Sequence, residues 1–230
     1  MSYVFPPITA AVPVAGSDSL FPVHRIYCVG RNYVDHAIEM GHTGREAPFF
    51  FMKPADAVLP VAEGKTGEMP YPSMTKDLHH EIELVVAIGK SGKDISVEDA
   101  ASYIWGYAIG LDMTRRDLQG EAKKQGRPWD TGKGFDYSAP ISALYPVAQT
   151  KLISEGNIHL DVNGEQRQDS DIRKLIWNVA ETIAYLSKFY ELQAGDLIFT
   201  GTPEGVAAVK TGDLLEGRIT GLGSLKVKLV

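Results

Sequence analysis

"HHEIELVVAIG", residues 79–89, is the most strand-like run in the chain, yet it carries acids where core is expected. Side chains alternate along a strand, so Ile82, Leu84, Val86 and Ile88 share one face while Glu81, Glu83, Val85 and Ala87 share the other. The first face reads as core. The second opens with two carboxylates, and an unpaired carboxylate in an apolar interior takes up a proton sooner than stay charged. Two readings follow: a half-exposed strand with a solvated outer face, or a strand whose glutamates hold something positive between them.

Short apolar, β-rich runs recur at 25–29, 48–52, 103–111, 157–162, 196–200 and 224–230, separated by Gly, Pro and Asn. The spacing of Ile172, Ile176, Val179, Ile183, Leu186 and Tyr190 predicts a helix over 172–190, with Ser170 or Asp171 as N-cap. "VEDAASYI" (97–104) predicts a shorter helix, and the polar interval 113–138 reads as a long ordered loop of the kind that carries function. Strands dominate and regular β-α alternation is absent. The expectation is an α+β, β-rich single domain with few peripheral helices rather than a doubly wound sheet.

With 44% hydrophobic residues, the 230-residue chain has material for one packed core. A net charge of -6 argues against a nucleic-acid groove or an anionic membrane surface as partner. Cys28 is the only cysteine, so no internal disulfide forms, and it reads as a small buried hydrophobe. No Lys or Arg precedes Arg25 and prolines interrupt the apolar start, so no signal peptide is expected. No run reaches the roughly 18 apolar residues of a membrane span. The default expectation is a cytoplasmic protein.

A third acid, Asp112, ends the apolar run "GYAIGLD". If that strand lies beside 82–88, three carboxylates converge. An all-oxygen set without thiolate favours Mg²⁺, Mn²⁺ or Ca²⁺ over Zn²⁺, while His79, on the Glu81 face, keeps a zinc reading open. In "GRNYVDHAIEMG" (30–41), His36 and Glu39 fall three apart, so on a helical turn the carboxylate could orient the imidazole as a general base. "GDLIFTGTPEGV" (195–206) breaks from a strand into small residues whose backbone N–H groups and hydroxyls could serve as donors to a ligand. Lys133, between two glycines, could approach an anionic intermediate.

Taken in order, "GRNYVDHAIEMG", "FMKPADAV", "LHHEIELVVAIG", "GLDMTRRDLQ", "GRPWDTGKGFD", "NGEQRQ" and "GDLIFTGTPEGV" resemble the fumarylacetoacetate hydrolase family, and within it the short acylpyruvate hydrolases of the fumarylpyruvate hydrolase type. The resemblance runs from about residue 24 to the end, leaving 1–23 as an N-terminal arm and 24–230 as the catalytic domain. It implies a mixed β-sheet roll or sandwich, commonly a homodimer. It also implies that Glu81, Glu83 and Asp112 hold Mg²⁺ or Mn²⁺, that His36 and Glu39 activate water on a lid segment, and that Lys133 faces the oxyanion. Arg31, Gln119 and Thr202 match positions lining the substrate site.

The implied reaction is hydrolysis of a carbon-carbon bond in an acylpyruvate, a small 2-oxo acid, giving pyruvate and a carboxylic acid. Fumarate is the acid if the substrate is fumarylpyruvate, as in aromatic catabolism by the gentisate route. An oxaloacetate decarboxylase or keto-enol tautomerase on the same metal-enolate scaffold is the alternative, and a non-catalytic module with a structural ion is a third reading. A fumaryl tail needs a further cation at its distal carboxylate, for which Arg31 and Lys53 are the candidates.

Overall fold

The computed structural model describes residues 3–33 and 45–230. Its centre is the strand Ile82–Ile88, every residue of which is buried. That strand pairs antiparallel with Ile104–Leu111 on one side and Leu197–Phe199 on the other. The sheet continues through Ile26–Gly30 to Phe49–Lys53 at one edge, and through Ala139–Ser142 to Val58–Val61 at the other. Pairing is mixed: Leu197–Phe199 runs parallel to Ile26–Gly30, and Ala139–Ser142 parallel to Val58–Val61.

Both faces of this sheet are covered, which excludes the half-exposed reading of 82–88. Ile82, Leu84, Val86 and Ile88 pack with Leu160, Leu215 and Val227 from a second sheet, ordered Glu165–Asp171, Asn157–Val162, Leu214–Ile219, Leu222–Leu229 and Thr66–Met69. The contact is close: a Cβ at Gly217 would lie 2.9 Å from Ile82 Cδ1. On the opposite face Val85 and Ala87 join a second core with Cys28 and Phe199, closed by Val12, Val14, Phe21 and Val23. Those four residues come from the segment before residue 24, where Ala11–Pro13 and Leu20–Pro22 form a hairpin.

The seven predicted strands are present, but the helical expectations need correction. The 172–190 helix is broken: Asp171 caps a 3-10 turn at Ile172–Lys174, and the α-helix spans only Val179–Phe189. Between them Asn32 takes over the backbone, accepting from Trp177 N at 2.8 Å and donating to Trp177 O at 2.9 Å. Asn178 then starts the helix through a reciprocal capping box with Glu181. Residues 97–104 hold a 3-10 turn, Ala100–Tyr103, in place of the shorter helix.

The interval 113–138 is not a loop. It contains the helix Arg116–Gln125, ended by Gly126 in the left-handed region, and a single helical turn, Asp130–Lys133. Only Gln119 and Ala122 of the longer helix are buried, so it has no apolar stripe to announce it. Among the described residues no helix is long and apolar enough to cross a membrane.

Candidate active site

Antiparallel pairing sets Ile82 opposite Leu111, which brings Glu81 level with Asp112 just beyond the strand ends. Strand alternation then puts Glu83 on the same face as Glu81. Carboxylate oxygens of Glu81, Glu83 and Asp112 lie within 4.8 Å of one another, all three side chains being buried.

Cations meet two of these acids. Lys133 Nζ lies 2.8 Å from Glu81 Oε2 and 2.6 Å from Asp112 Oδ2, and Arg116 bonds Glu81 Oε1. Lys53 Nζ makes an ion pair with Asp112 Oδ1 at 2.8 Å, while its hydrogen bonds go to the carbonyl oxygens of Met113 and Lys133. Glu83 differs. It accepts from Gly201 N at 2.7 Å, but among the described residues no cationic side chain forms an ion pair with it. Burial pushes the Glu83 carboxyl well up, reinforced by the charges of Asp112 and Glu81. Burial opposes the charge on Lys133, but Asp112 and Glu81 outweigh it and raise that ammonium. A buried, all-oxygen cluster with one carboxylate lacking a counter-ion fits a hard divalent cation. His79 does not belong to the cluster: its Nε2 meets Asp77 Oδ1 at 2.8 Å, and its Nδ1 faces Arg116 Nε at 3.4 Å.

The acids line a pocket together with Arg31, Gln119, Lys133, Thr202 and the aromatic rings of Phe49, Phe51 and Trp129. The aromatic wall is packed edge to face, Phe49 and Trp129 having centroids 5.5 Å apart at 86°. Arg31 has φ +56°, and its guanidinium lies 5.4 Å over the Phe49 ring. Gly30 admits that ring, since a Cβ there would come within 2.0 Å of Phe49. Gln119 Oε1 accepts from Arg116 at 2.6 Å. An arginine only donates, so this orients the Gln119 amide and leaves its NH₂ as the end available to a ligand.

Two expectations are corrected here. The hydroxyls of the 195–206 segment do not present donors: Thr200 donates to Leu84 O at 2.9 Å and Thr202 to Ile82 O at 2.8 Å, clipping the turn to the acid-bearing strand. Lys53 is 2% exposed and held by Asp112, so it is not a cation for a distal carboxylate, and Arg31 remains. His36 and Glu39 lie outside the described residues. Sequence reasoning missed Arg116 and the carboxylate-binding N–H of Gly201. The left-handed φ of +100° at Gly201, where a Cβ would come 2.7 Å from Asn32 Cβ, is a tertiary requirement with no local signature.

The family model for the fumarylacetoacetate (FAA) hydrolase C-terminal domain matches residues 25–230. The chain belongs to the fumarylacetoacetate hydrolase family. Among its relatives in this family is a fumarylpyruvate hydrolase from Ralstonia, 48% identical over 182 residues, covering 79% of this chain and 92% of that one. The mitochondrial oxaloacetate tautomerase FAHD1 of Rattus norvegicus is 43% identical over 204 residues, 89% of this chain and 90% of that one. The crystal structure of fumarylpyruvate hydrolase from Pseudomonas aeruginosa in complex with Mn²⁺ and pyruvate superposes with a TM-score of 0.98 at 57% identity, covering 100% of this chain and 99% of that one. The family fold is thus the β-rich mixed-sheet architecture described above.

Proposed function

We propose that this protein is a hydrolase that cleaves the carbon-carbon bond of an acylpyruvate, with Mg²⁺ or Mn²⁺ held by Glu81, Glu83 and Asp112. The observation that carries the reading is the convergence of those three buried acids in a pocket with an aromatic wall. The fumarylpyruvate hydrolases among its relatives, one solved with Mn²⁺ and pyruvate, support the same chemistry and point to fumarylpyruvate as substrate.

A bound divalent ion supplies Lewis-acid stabilisation to the oxygens of a 2-oxo acid. His36, oriented by Glu39, takes a proton from the attacking water. The hydroxide adds to the distal carbonyl, the bond between that carbon and the methylene breaks, and the methylene carbon takes up a proton to give pyruvate. Lys133 donates to the oxyanion formed on addition, a contribution typically worth about 10²–10³ in rate. The Gln119 NH₂ binds substrate oxygen, and Arg31 binds a distal carboxylate at the end of an acyl arm that passes beside Phe49. The finer assignments are cytoplasmic location, a homodimer, an arm at 1–23 and a place in aromatic catabolism.

The relatives that act on oxaloacetate favour one second reading, decarboxylation or keto-enol tautomerisation. Incubation with fumarylpyruvate, acetylpyruvate and oxaloacetate, with and without Mg²⁺, separates the two. Metal-dependent pyruvate release from an acylpyruvate supports hydrolysis; turnover of oxaloacetate alone overturns it.

A further inference from the structure

The motif "NGEQRQ" takes no part in the chemistry above, yet its last residue reaches the site from the second sheet. Gln168 is 1% exposed. Its strand, Glu165–Asp171, pairs Leu160 with Gln168 and Asp161 with Gln166, so Arg167 is the extra residue of a bulge. Bulges re-aim the side chains beside them. The turn that carries Thr202 packs directly onto this bulge: a Cβ at Gly205, where φ is +90°, would lie 2.0 Å from Arg167 O.

All four hydrogen-bonding positions of the Gln168 carboxamide are used. Oε1 accepts from Ile82 N at 3.1 Å and faces His80 Nδ1 at 3.0 Å. Nε2 donates to Thr202 Oγ1 at 2.9 Å and to Pro203 O at 2.8 Å. The orientation is not interchangeable. Ile82 N–H can only donate and Pro203 O can only accept, which places oxygen toward the strand and nitrogen toward the turn. His80 must then carry its proton on Nδ1. Thr202, whose own proton goes to Ile82 O, accepts from Gln168.

We propose that Gln168 is a positioning residue of the active site, its amide joining the backbone at His80–Ile82, which carries Glu81, to the turn that carries Thr202. The two ends have separable roles. Oε1 holds the acid-bearing backbone, which positions the ion's ligands; Nε2 holds the turn of Thr202, which lines the pocket where substrate would sit. Gln168 itself is not part of the pocket lining. The inference rests on the proposed metal-dependent hydrolase.

The test compares wild type with Gln168→Met and Gln168→Glu, measuring Mn²⁺ affinity by calorimetry without substrate, kcat and KM for fumarylpyruvate, and melting temperature. Methionine removes both ends, and supporting groups of this kind typically weaken metal affinity or activity 10–100-fold, so about a tenfold or greater rise in the Mn²⁺ Kd and a comparable fall in kcat are expected. Glutamate keeps the acceptors and loses the donors, so Mn²⁺ affinity stays near wild type while KM rises. Wild-type Kd and KM in both variants, with or without a lower melting temperature, would overturn the proposal. If the methionine variant does not fold, unchanged KM in the glutamate variant is decisive against it. A wild type that neither binds Mn²⁺ nor releases pyruvate overturns the hydrolase reading and this proposal with it, whereas an active wild type with unaltered variants overturns this proposal alone.

Discussion

Asp112 donates its backbone N–H to the carbonyl oxygen of Glu81 at 2.9 Å. The hydrogen bond that continues the ladder between the two central strands therefore also fixes the separation of two acids of the site. Register and chemistry are one constraint: a slip of one residue would turn Glu81 and Glu83 into the core between the sheets.

Lys53 is the buried counter-charge of this arrangement. Replacing it by methionine keeps the apolar stem but leaves Asp112 without one of its cations, and breaking a buried pair from one side typically costs about 3–5 kcal/mol. We expect Lys53→Met to lower the urea midpoint markedly, and added Mn²⁺ to recover part of the loss. An unchanged midpoint would mean that Lys53 does not balance Asp112.

The segment before residue 24 is expected to be indispensable for stability. Val12, Val14, Phe21 and Val23 are buried against the sheet, and full burial of such side chains contributes roughly 1.5–3 kcal/mol each. Four of them approach the whole stability of a typical domain, about 5–15 kcal/mol. Deleting residues 1–23 should give a chain that aggregates or melts many degrees lower; a soluble truncation melting with the full chain would contradict the closed second core.

Much of this was legible in sequence because strand periodicity is local. The seven β-rich runs follow from apolar stretches between Gly, Pro and Asn, and the shared face of Glu81 and Glu83 from alternation, whereas the pairing of the strand that ends before Asp112 with 82–88 entered only as a condition, which the sheet fulfils. What escaped was set at long range. Asn32 breaks the expected 172–190 helix from 145 residues away, the Arg116–Gln125 helix is too polar to show a stripe, and Lys53 resembles any other lysine until Asp112 is beside it. Two acids in a strand pose a question that their own segment does not answer.

Substrate choice is expected to turn on Arg31. A charge-assisted hydrogen bond is worth about 1.5–3 kcal/mol, or roughly 10–100-fold. Arg31→Met should therefore raise KM for fumarylpyruvate by about that factor and change acetylpyruvate, which lacks the distal carboxylate, little. Equal effects on both substrates in steady-state assays would remove Arg31 from specificity.

Stability should fall in mild acid through His80. Burial lowers its pKa to about 4, against about 6.5 in an unfolded chain. Between these values the unfolded state binds the proton and the folded state does not, so the contribution is complete above about pH 6.5 and is lost as pH falls toward 4. In His80→Asn, which retains an N–H toward Gln168, denaturant midpoints should vary less with pH across that window. An identical pH profile would show that His80 does not titrate as described.

The claim that three buried acids share one divalent ion is tested most directly by the anomalous signal of Mn²⁺ in crystals of this protein. We expect a single strong peak at coordination distance, about 2.1 Å for a small hard cation, from carboxylate oxygens of Glu81, Glu83 and Asp112. Saturating Mn²⁺ with no peak there, and the acids still held by Lys53, Lys133 and Arg116, would contradict it.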